Sequence, residues 1–111
     1  MMTPKEILIA ARAKIEAPER WTKGAYARHA SGRPAGPEIG NADCWCIVGA
    51  VTAVMGIKAG CLDAAICRML SDAAGIEAYA EDITEWNDAP GRTHAEVLAT
   101  FDRAIAAADS A

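Results

Sequence analysis

The sequence predicts a mainly α domain: about five helices around a buried central helix, with a small β-hairpin after the first. Three observations predict it. Hydrophobic residues make up 52 % of the chain but aromatics only 5 %, so the core must consist of small side chains, much of it alanine, on closely approaching helices. Complete helix-start signals recur along the chain. Between the first two helices, a cluster of glycine and proline excludes helix.

The first helix opens on Thr3-Pro4-Lys5-Glu6, a capping threonine, a proline at the first helical position and a glutamate that completes a capping box. Ile7, Leu8, Ala11 and Ile15 share one face, and Pro18 should stop the helix near Ala17. Gly24, Gly32, Pro34, Gly36 and Pro37 then break the pattern, while Ala25 to His29 reads as a short strand turning at Ser31-Gly32. Asp43 is the expected N-cap of the next helix, Cys44 to about Met55, which ends at Gly56. Trp45, Ile47, Val48, Val51 and Val54 cover every face of it, and a helix apolar all round is one that its neighbours enclose.

A third helix is expected over about Leu62 to Ala74, with Gly75 at its C-terminal cap. A shorter one, roughly Glu77 to Trp86, repeats Tyr79, Ile83 and Trp86 on one face. Asn87-Asp88 and Pro90-Gly91 should turn the chain into the last helix, where Thr93 and Glu96 form a second capping box. Val97, Leu98, Phe101 and Ile105 supply its buried face, and residues 106–111 should fray.

A length of 111 residues fits one domain with one core. The longest apolar run, Cys44 to Ile57, is broken by Gly49, Thr52 and Gly56 and falls short of a membrane span. Lys5, Glu6, Arg12 and Lys14 interrupt any signal-like start. A cytoplasmic protein with four reduced cysteines is expected. Residues 1–37 hold seven Lys/Arg against three Asp/Glu, a net +4, whereas residues 38–111 hold four against twelve, a net −8. That asymmetry would orient the protein against a charged partner, although ordinary solvated surfaces show it too.

Several constellations bear on chemistry. Cys44 and Cys46, two residues apart on a helix, would diverge by about 200° and could not share one zinc. Cys61 and Cys67 lack metal-ligand spacing. Neither a metal nor a cofactor is expected, and no glycine-rich phosphate loop is present. Cys46 near a helix start is a candidate nucleophile, with His94 as base and Asp88 or Asn87 to orient it. The competing reading makes Cys46 a core thiol and His94 a neutral ring that pins the preceding turn through Asp88 or the Asn87 backbone. Arg12, Lys14, Arg20, Lys23, Arg28 and Arg33, with Trp21 and Tyr26 among them, would suit phosphates and bases. The pI near 5.1 and the lack of a nucleic-acid-binding signature disfavour that use. Glu77, Glu81 and Glu85 form an acidic stripe, either solvated or set against a basic partner.

Cys44-Trp45-Cys46-Ile47-Val48-Gly49-Ala50, Trp86-Asn87-Asp88 and Thr93-His94-Ala95-Glu96-Val97-Leu98 through Asp102-Arg103-Ala104-Ile105 resemble a family of short uncharacterised bacterial and phage or prophage proteins. The resemblance runs from the first helix to Ile105. It implies an intact small domain in a bacterial or phage setting, assigns no activity, and draws attention to Cys46, Asp88 and His94. The function expected is that of an accessory protein acting by binding a macromolecular partner, a protein. The alternatives are a cysteine-dependent hydrolase or transferase using Cys46, His94 and Asp88, and nucleic-acid binding through residues 12–33.

Overall fold

Helix α1 runs Pro4–Lys14, and Thr3 and Glu6 close the expected capping box. The Thr3 hydroxyl accepts from the Glu6 N–H at 3.2 Å and the Glu6 carboxylate from the Thr3 N–H at 2.8 Å. The helix stops at Ile15, ahead of Pro18, and a 3₁₀ turn over Pro18–Arg20 leads outward. The computed structural model describes residues 2–35, 41–58, 60–76 and 80–110.

Strand β1, Ala27–Arg28, lies where a short strand is expected, and it pairs on two sides. Locally the chain turns back through Gly32, whose N–H donates to the His29 carbonyl, and Pro34 bridges Arg28. Its antiparallel partner is β2, Cys44–Trp45, in the register Ala27↔Trp45 and Arg28↔Cys44. This corrects the start of the second helix. Residues 44 and 45 are extended, α2 is Ile47–Met55, and its N-cap is Cys46, not Asp43. Asp43 instead accepts the Ala30 N–H at 2.7 Å and steadies the turn after β1. The physical reason is non-local: the Asp43 and Cys46 N–H groups donate to the Arg28 and Tyr26 carbonyls. Ladder bonds that hold both ends of β2 leave no helical conformation available there.

Helix α2 is nonetheless the deeply buried one, with six successive buried residues, Ile47 to Thr52. It packs on α1 and on α4, Ala80–Asp88. Helix α1 lies against α2, α5 (His94–Ser110) and α3 (Ala64–Ala74), so it shares the central place. Gly75 ends α3 in the left-handed conformation, φ 75°, which glycine adopts without a Cβ penalty. Glu77 and Tyr79, expected in the fourth helix, lie outside the described residues. That helix runs two residues beyond Trp86, so Asn87 and Asp88 sit in its last turn. Phe101, Leu8, Ile15, Ile47, Ile66, Leu70 and Ile83 are the large, fully buried pieces of the core.

Candidate functional site

Helix α2 begins at the meeting point of three segments, residues 21–28, β2 and the end of α4. The Cys46 sulfur accepts the Gly49 N–H at 3.3 Å, in the manner of a serine or threonine cap. Gly49 is there because the chain crosses it closely: a Cβ on it would lie 1.8 Å from the Tyr26 carbonyl oxygen. Cys44 donates its thiol to the Arg28 carbonyl at 3.6 Å. All three cysteine and glycine positions in the first motif are thus occupied by strand pairing, capping and close backbone approach.

The second motif completes the same junction. Asn87 is fully buried, and its side-chain oxygen accepts from the Ile47 N–H at 3.1 Å and the Trp21 indole N–H at 2.8 Å. Its amide nitrogen donates to the Thr22 carbonyl at 3.1 Å and to the Asp88 carboxylate at 2.9 Å. The amide is therefore saturated, and it caps α2 from forty residues away. Asp88 also accepts the Gly24 N–H at 3.0 Å. Lys23 donates to the Ala89 carbonyl at 3.0 Å and stands over the Trp21 ring.

His94 is the first residue of α5, beside the Thr93–Glu96 capping box. Its Nε2 lies 2.6 Å from the Ile15 carbonyl oxygen, and its ring is 6.0 Å from that of Trp21. The acceptor is a carbonyl, so Nε2 carries a proton and donates it. The turn-pinning role expected of His94 thus falls on the end of α1, not on Asp88 or Asn87. Its bond satisfies a carbonyl that the helix end leaves over.

Among the described residues no hydrogen bond joins any two of Cys46, His94 and Asp88. Nor is Cys46 primed. Its side chain is fully buried, and burial pushes the thiol up to about 11, with the Asp88 charge adding to the rise. The hydrogen bonds from Gly49 and Val48 at the helix start oppose that shift and lose to desolvation. Burial withholds the thiol from solvent and disfavours the thiolate that nucleophilic attack requires. Among the described residues no cluster of three His, Cys, Asp or Glu could hold a metal ion. Cys61 is exposed and Cys67 is buried.

A concave surface lies elsewhere. A cleft of about 840 Å³ opens between the end of α3 and α4, lined by Arg68, Asp72, Ile76, Asp82, Glu85 and Trp86 among others. Glu85 is the one member of the expected acidic stripe that lines it; Glu77 lies outside the described residues. Asp72, Asp82 and Glu85 make no ion pair or side-chain hydrogen bond among the described residues. Trp86 is braced by Arg92, whose guanidinium stands 4.0 Å from its ring centre and donates to its carbonyl at 2.8 Å. Sequence reasoning missed this cleft, because Asp72 and Asp82 meet only when α3 and α4 pack.

A family model described as a family of unknown function (DUF6197) matches residues 1–107. No curated protein and no solved structure matches the chain.

Proposed function

The chain belongs to DUF6197, a family of unknown function, and from its own residues we propose that it is a non-enzymatic interaction protein. It binds a protein partner in the cleft between α3 and α4, and the partner presents a lysine- or arginine-bearing segment. The setting proposed, on the motif resemblance, is bacterial or phage-borne and cytoplasmic. Among the described residues, no helix is long and apolar enough to cross a membrane.

One observation carries the reading: three carboxylates, Asp72, Asp82 and Glu85, line this cleft beside Trp86, against one cation, Arg68, among the described residues. Outside the cleft Arg12 is paired with Glu16 and Asp102, and Arg92 with Glu96. A cationic side chain in the cleft would gain opposite charge and an aromatic wall together. The motif residues support the reading from the other side, since junction contacts occupy them and leave no activated nucleophile.

The test is fluorescence anisotropy of a labelled Lys/Arg-rich peptide at ~0.1 M salt. Saturable binding is expected, weakened at least tenfold by Asp82→Lys/Glu85→Lys. The milder pair Asp82→Asn/Glu85→Gln should weaken it less. Glu81→Lys, a reversal outside the cleft lining on the same helix, should alter it little. No saturable binding, or equal weakening by all three variants, removes the cleft from consideration.

A further inference from the structure

We draw no further inference here: the strongest candidate, the apolar groove of about 410 Å³ between the start of α1 and the end of α2, lined by Met2, Ile7, Val54, Met55 and Ile66, has nothing in the structure to show what covers it.

Discussion

Asn87 holds more of this fold than any other polar side chain described above. Its amide satisfies the first N–H of α2, the Trp21 indole and the Thr22 carbonyl at once. Asn87→Ala leaves the buried Ile47 N–H and the part-buried Trp21 indole N–H without this partner, each costing about 1–3 kcal/mol, so a loss of roughly 2–6 kcal/mol is expected in urea unfolding. A loss below ~1 kcal/mol would mean that water or rearrangement replaces the amide. Cys46 gives a second expectation, with a pH signature. Its folded pKa is raised to about 11 from an ordinary value of 9.0. The unfolded chain therefore releases the proton first as pH rises. The thiol's contribution to stability is complete below pH ~9 and declines up to pH ~11, by about 2–3 kcal/mol in all. Cys46→Ser keeps a capping oxygen and removes the titration, so its stability should fall less steeply over that window. Parallel slopes for the two proteins would contradict the burial argument. In native protein at pH 7, iodoacetamide should modify exposed Cys61 and spare Cys46.

At the scale of elements, what was legible in the chain was what local chemistry determines. Thr3 with Glu6, Thr93 with Glu96, and Gly75 each act within one helical turn, so the spacing alone located two starts and one end. The β2–α2 boundary was not legible for the opposite reason. Asp43 is a better local cap than cysteine, but the Tyr26 and Arg28 carbonyls hold residues 43–46 extended from a distance in sequence. Asn87 was hidden likewise: its capping of Ile47 is visible only once α4 lies against α2. The two accounts of α2 separate cleanly by mutation. Were Asp43 the cap, Asp43→Ala would cost about 1 kcal/mol and loosen the helix start. With Cys46 as the cap, the same change frees the Ala30 N–H, so hydrogen exchange should quicken at Ala30 and stay slow at Gly49. Faster exchange at Gly49 would restore Asp43 to the cap.

Over the whole molecule, the charge asymmetry of the sequence becomes an asymmetry of engagement. The basic segment 12–33 is largely consumed by the fold. Arg12 bridges α1 to α5 through Asp102 at 2.7 Å, and Lys14 stands 4.4 Å from the Trp45 ring centre. Lys23 caps the Ala89 carbonyl, and Arg28 ties the Lys23 and Gly32 carbonyls together. Arg20 and Arg33 alone of the six have no side-chain partner among the described residues. A nucleic-acid surface needs many cations free for phosphates, because affinity and its salt slope both scale with their number. Two such contacts give a slope of about −2 in log K against log salt, far below the 6–10 phosphates of a dedicated binder. The net charge of −4 repels the polyanion further. The protein should therefore pass through a heparin column at ~0.1 M salt, while an anion exchanger retains it. Binding to heparin that persists above ~0.4 M salt would revive the nucleic-acid reading, and it would require the engaged cations to leave the contacts described above. Because Lys14, Lys23 and Arg28 brace the same junction that Asn87 closes, such release should also lower stability, so the column and a thermal melt with heparin must agree.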